Sequence, residues 1–110
     1  MRFGWVLVLV GVSTFAFAAD KKTERLFNAK CGSCHGKDGK AQTDKGKEMK
    51  MRDMGADEFQ KATDEEMKKT ISEGFKKTKD GTKQEMDGFK DDLKPPEIDA
   101  LVQRVRGFKK

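Results

Sequence analysis

The 110-residue chain holds two cysteines and one histidine, and all three stand together in Cys31-Gly32-Ser33-Cys34-His35. The spacing is C-x-x-C-H, the attachment pattern of c-type haem. Two thiols three positions apart can each add to one vinyl group of a single porphyrin. The histidine that follows is then carried under the iron, where its imidazole serves as the proximal ligand. Three other chemistries use parts of this pattern. A thioredoxin-type redox pair opens a helix after a buried strand, and no such strand precedes Cys31. A zinc site needs about four ligands, and the Cys and His supply ends at three. A structural disulfide has no use for His35.

The elements that must position these residues begin after an export segment. Residues 1–18 read as a secretory signal peptide. Arg2 is their only charge, residues 3–12 form an apolar run, and Ala16-Phe17-Ala18 supplies small residues where a signal peptidase reads. Cleavage after Ala18 leaves a domain of residues 19–110. The apolar run is short for a membrane span, which takes about 20 residues, and nothing later in the chain is more apolar. No cysteine stands near the cleavage site, so lipid anchoring there is not indicated. Export agrees with haem attachment, which takes place outside the cytoplasmic membrane on reduced thiols.

Charge bounds the partners. The chain has 24 Lys+Arg against 19 Asp+Glu, and removing residues 1–18 takes away Arg2 alone. A modest positive excess this evenly mixed gives little reason to expect nucleic acid and suits docking to an acidic protein surface. The large apolar residues after the signal are few: Leu26, Phe27, Phe59, Ile71, Phe75, Phe89, Ile98, Leu101, Val102, Val105, Phe108 and several Met. That is thin for a core in so small a domain. A covalently held porphyrin completes it, so the haem-free chain is expected to be largely unfolded.

Three helices can be read. One spans residues 22–29, with Leu26 and Phe27 on its apolar side, and leads into the haem motif. The second starts at Thr63, where Thr63 and Glu66 form a T-x-x-E capping box, carries Met67 and Ile71 one turn apart, and stops at Gly74. The third opens with Pro95 and Pro96, repeats Ile98, Leu101, Val102 and Val105 at helical spacing, and closes at Gly107. A shorter helix over residues 56–61 has Asp57 as its candidate cap. Residues 35–46 and 75–88 read as polar Gly- and Lys-rich loops, with no strand-like alternation.

With one histidine in the chain, a second axial ligand must be of another type. Methionine is the candidate, and Met49, Met51, Met54, Met67 and Met86 are available after the signal. Met67 fits the apolar face of the second helix and reads as core. Met86 is the first choice. It lies in an irregular segment before the last helix and is followed by Asp87-Gly88-Phe89. Met54 is the next candidate, and an open site is the third possibility.

These residues resemble a class I monohaem cytochrome c of the small bacterial kind. The resemblance rests on the haem motif with Leu26-Phe27-Asn28-Ala29-Lys30 before it and Gly36-Lys37-Asp38-Gly39 after it. It extends to the tail from Met86 to Leu93 and the helix beyond, and so covers nearly all of residues 19–110. It implies an all-α cytochrome c fold, with three to four helices wrapped around one covalent haem and the N- and C-terminal helices crossing. It implies Cys31 and Cys34 as thioether attachments, His35 as proximal and Met86 as distal iron ligand, and electron transfer with no substrate bound at iron. The chain departs from the family in four places. Asp87 follows the ligand Met where proline is common. No proline lies between His35 and Met86 to offer the imidazole a carbonyl. Arg104 stands where the last helix often has an aromatic. No Trp or Tyr after the signal can reach a haem propionate, for which Arg52 or a lysine would substitute.

The expected function is that of a soluble exported carrier of one electron, periplasmic or equivalent, monomeric and not an enzyme. Its partners would be redox proteins with acidic docking surfaces, a membrane oxidoreductase on one side and a terminal oxidase or reductase on the other. Lys30, Lys37, Lys40, Lys83 and Lys90 are the candidate docking charges. A five-coordinate haem protein that binds a small ligand, sensor or peroxidase-like, is the alternative. A thiol oxidoreductase using Cys31 and Cys34 without haem is a third reading.

Overall fold

The computed structural model describes residues 15–110 together with Gly4 and Gly11, with side chains from Lys21 onward. The expected export segment, residues 1–18, therefore lies outside the described residues apart from those two glycines and the helical backbone from Phe15. The element order is α1 (Phe15–Lys30), α2 (Gly32–His35), α3 (Asp44–Glu48), α4 (Asp57–Gln60), α5 (Asp64–Glu73), β1 (Gly74–Lys79), β2 (Thr82–Asp87) and α6 (Pro95–Arg106). No helix of the described residues is long and apolar enough to cross a membrane.

The two long helices that frame the domain, α1 and α6, pack on each other. α6 forms where expected. Pro95 and Pro96 fill its first turn, Lys94 N–H is met by Glu97 Oε1 at 3.0 Å, and Ile98, Leu101, Val102 and Val105 are its buried face. Phe27 of α1 is 0% exposed beside Leu101 and Val102. The crossing is completed by residues the sequence did not single out for it. The Phe108 ring lies 5.3 Å from that of Phe27, and the Arg104 guanidinium sits 4.2 Å from the Phe108 centroid. Arg104 thus takes the aromatic's place by stacking its planar cation on both rings.

α5 also forms as its cap predicts. Glu66 N–H donates to Thr63 Oγ1 and Thr63 N–H donates to Glu66 Oε2, both at 3.1 Å. The helix ends at Gly74, whose φ of +72° only glycine adopts without strain. The shorter helix is corrected in detail. It spans Asp57–Gln60, and Ala56, not Asp57, holds the cap position without a side-chain bond. α1 extends further toward the N-terminus than residues 22–29 and runs across the expected cleavage position.

The all-α expectation is corrected by a two-stranded antiparallel hairpin over Gly74–Asp87, which takes up most of residues 75–88, the segment expected to be a loop. Its register runs from Gly74↔Asp87 through Phe75↔Met86 and Lys77↔Gln84 to Lys79↔Thr82. The turn is Asp80-Gly81, with φ of +50° and +76°. Both central residues in left-handed conformation make the two-residue turn that matches strand twist, and Asp-Gly is among its strongest signals. The flanking lysines hide the alternation, because a strand exposed on most of its length carries no apolar period. Phe75, expected in the core, is 39% exposed and lines the cavity described below. A second correction falls in residues 35–46, where α3 begins at Asp44. Thr43 caps it, accepting from Gly46 N–H at 2.9 Å while its own hydroxyl donates to Cys34 O at 2.6 Å.

Candidate functional site

The helical ladder of α1 continues through the haem motif. Cys31 N–H donates to Phe27 O at 2.7 Å, and His35 N–H to Cys31 O at 2.9 Å. Cys31 and Cys34 therefore share one side of a helical turn, and His35 follows one turn after Cys31. The turn is closed beyond by Ala41 N–H donating to His35 O at 2.8 Å. The histidine backbone is thus fixed from both sides by main-chain bonds.

His35 opens on a cavity of about 500 Å³, within the usual range for small-molecule and cofactor sites. Cys31 lines it, as do Phe27, Leu101 and Val105 from the helix crossing. Met49, Met51, Met54, Met67 and Met86 all border it, so every methionine of the chain apart from Met1 meets at this one space. Cys34 is half-buried on the turn but is not part of the cavity wall. The hairpin supplies another wall. Phe75, Lys77, Gln84 and Met86, the members of alternate cross-strand pairs, share the cavity face. On the other face Lys76 pairs with Glu85 at 3.3 Å.

Burial sets the protonation of the motif. It pushes the His35 imidazole down to about 4, so the ring is neutral at ordinary pH, the form that ligates metal. Burial, then the neighbouring Cys34, pushes the Cys31 thiol up to about 11. That is the opposite of the shift that activates the attacking thiol of a redox pair. Both cysteines are free thiols.

A haem was expected on these residues, and the donor set with the cavity wall tests whether they fit one. His35 Nδ1 is buried and has no hydrogen-bond partner; it is the nitrogen that a carbonyl would orient, which leaves the other ring nitrogen for the iron. The neutral ring beside Cys31, the apolar volume and the thioether lining are what an iron porphyrin requires of its protein. The residues present fit the group. The carbonyl expected to orient His35 in place of a proline is not found among the described residues.

The structure brings Cys31, His35, Met54 and Met86 to the same cavity. Arg52, the candidate for the propionates, also borders it and is exposed. Lys30, Lys37, Lys40, Lys83 and Lys90 are all exposed. Sequence reasoning missed two glutamines that fasten the walls. Gln60 Nε2 donates to Met54 O at 2.6 Å and Val105 O at 3.0 Å. Gln84 Nε2 donates to Met49 O at 2.7 Å and Lys50 O at 3.1 Å. Gln84 was legible in principle, since the Asp-Gly turn places it two positions from Met86 on one strand face. Gln60 carried no signal.

The comparisons agree in kind. The family model described as cytochrome c oxidase, cbb3-type, subunit III matches residues 18–103. Among solved structures, one described as the KustC0563 c-type cytochrome is similar at 38% identity. That match covers 80% of this chain and 98% of the other, with a TM-score of 0.66. A tyrosine-to-phenylalanine mutant of that protein is similar at 39% identity, over 79% of this chain and 98% of the other, with a TM-score of 0.63. No curated protein matches.

Proposed function

The chain belongs to the family of cbb3-type cytochrome c domains and is a small c-type cytochrome, and on that premise we propose that it is an exported carrier of one electron with His35/Met86 ligation. Residues 1–18 direct export and are removed, and residues 19–110 work as a monomer in the periplasm or an equivalent space. Cys31 and Cys34 hold one haem through thioether bonds. Bound there, the haem supplies a reversible one-electron couple, and a neutral imidazole with a thioether favours a raised potential.

The single observation that carries this reading is the meeting of His35 and Met86 on one methionine-lined cavity. The chain's own residues then have separable roles. His35 is held neutral by burial. Phe27, Leu101 and Val105 exclude water from one side, and the hairpin covers another. No second histidine exists to move a proton at the distal side, which favours electron transfer over peroxidase chemistry. The exposed lysines meet redox partners with acidic surfaces, and salt is expected to slow that encounter.

Expression with the export segment in a host that matures c-type cytochromes tests the reading. Haem is expected to stay with the denatured polypeptide. The ferric protein is expected to show the weak far-red band of sulfur-ligated iron, lost in Met86→Ala and kept in Met54→Ala. Loss in Met54→Ala instead would move the ligand to Met54. No band in the unaltered protein, with ready binding of carbon monoxide, would establish the five-coordinate alternative.

A further inference from the structure

The hairpin that carries Met86 is fastened to the domain at two places of different kind. At its base the bonds are backbone to backbone. Phe89 N–H donates to Ile71 O at 2.8 Å and Lys90 N–H to Ser72 O at 3.1 Å. Further along, the side-chain hydrogen bonds that leave the hairpin both come from Gln84, among the described residues. Gln84 is 7% exposed and is the buried polar side chain among the described residues. Its two acceptors lie 34 and 35 positions away in sequence. One of them belongs to Lys50, a non-glycine residue with φ of +50°.

We propose that Gln84 is the positioning residue for Met86: its amide latches the hairpin onto the carbonyls of Met49 and Lys50, and so sets how firmly Met86 is presented to the iron. The proposal rests on the His35/Met86 reading above. Its physical basis is that a two-stranded hairpin is marginal by itself. What decides its position is what it is tied to. Gln84 and Met86 point to the same face because they are two apart on one strand, so a shift of one moves the other. The acceptors lie in the segment whose Met49 and Met51 line the same cavity. The latch therefore also holds two cavity walls together. Without it the hairpin is fixed only at its base, and Met86 yields more readily to a competing ligand.

The test uses the mature holoprotein and imidazole as the probe that competes for the distal position. Gln84→Leu removes all polarity, and Gln84→Glu keeps the shape but turns the donor into a carboxylate facing two carbonyls. Lys79→Ala, an exposed strand residue outside the cavity wall, is the control. Both Gln84 variants are expected to bind imidazole at least tenfold more tightly than the unaltered protein, with a weakened far-red sulfur band. Lys79→Ala is expected to leave both readouts in place. Where those two variants do not accumulate as holoprotein, Gln84→Asn retains a donor one methylene short and is expected to show the same gain. Unaltered imidazole affinity in whichever Gln84 variants form holoprotein overturns the latch. Retention of the sulfur band in Met86→Ala instead overturns the ligand reading, and the two failures are told apart by that variant.

Discussion

His35 reaches the cavity from a helical turn and Met86 from a hairpin, and the two are held by unlike forces. On the helical side the motif continues α1, whose Phe27 is sealed against α6, and main-chain bonds fix the histidine before and after. On the hairpin side most residues are exposed, and the ties to the domain are the base and one glutamine. A side chain on the first wall moves only if the crossing of α1 and α6 opens. A side chain on the second can move in a local opening, since segments with few buried contacts open at lower free energy than the core. The difference teaches that the two walls need not share one stability, and that the hairpin wall, where the distal ligand is proposed, is adjustable without unfolding the rest.

The largest effect expected is from removing what lies between the walls. The space of about 500 Å³ is too large for so few apolar side chains to close over by themselves. Cys31→Ala combined with Cys34→Ala is expected to leave a chain without a cooperative thermal transition by circular dichroism. A sharp, fully helical transition in that variant would mean the helical side stands without the haem.

Arg106→Ala addresses the helical side alone. The guanidinium donates to Gln60 O at 2.7 Å, Ala62 O at 2.6 Å and Asp64 Oδ1 at 2.9 and 3.0 Å. It thereby ties the end of α6 to the turn that starts α5. Losing these charge-assisted bonds is expected to cost about 2–3 kcal/mol, read from urea unfolding of the holoprotein, with the far-red band unchanged below the transition.

Gly81→Ala addresses the hairpin alone. An added Cβ meets no atom within 4 Å, so the whole cost is the backbone's φ of +76°, about 1–2 kcal/mol. Amide hydrogen exchange is expected to quicken over residues 74–87 and to stay unchanged in α1 and α6. Uniform quickening across the domain would dissolve the distinction between the walls.

The smallest effect concerns acid. Lys110 and the Gly55 amide hold the Asp53 carboxyl below the usual carboxylate range, with Lys110 Nζ at 2.8 Å. A carboxylate lowered in the folded state contributes stability above its ordinary pKa, and that contribution fades as pH falls through the lowered value. Asp53→Asn is expected to flatten the acid limb of stability below about pH 4 and to leave stability nearer neutral slightly reduced.

The parts legible in the sequence were those encoded by local chemistry. The motif names its own residues. Thr63 and Glu66 announce α5, and Pro95, Pro96 and the Ile98–Val105 spacing announce α6. What escaped was encoded across distance or on an exposed surface. The hairpin has the right turn in Asp80-Gly81, but its lysines carry no apolar period to mark strands. Gln60, Gln84 and Arg106 are ordinary polar residues until the chain folds carbonyls 6 to 46 positions away against them. Arg104 read as a lost aromatic because a sequence does not show the stacking that replaces it.

The lining of thioethers has a consequence under oxidative stress. Each methionine sulfur converted to a sulfoxide puts a polar, chiral group where an apolar one stood. Here every methionine beyond Met1 borders a single compartment, so a sulfoxide at any of them would change the lining of that one space. Repair by sulfoxide reduction would then restore the whole electron-carrying unit at one location.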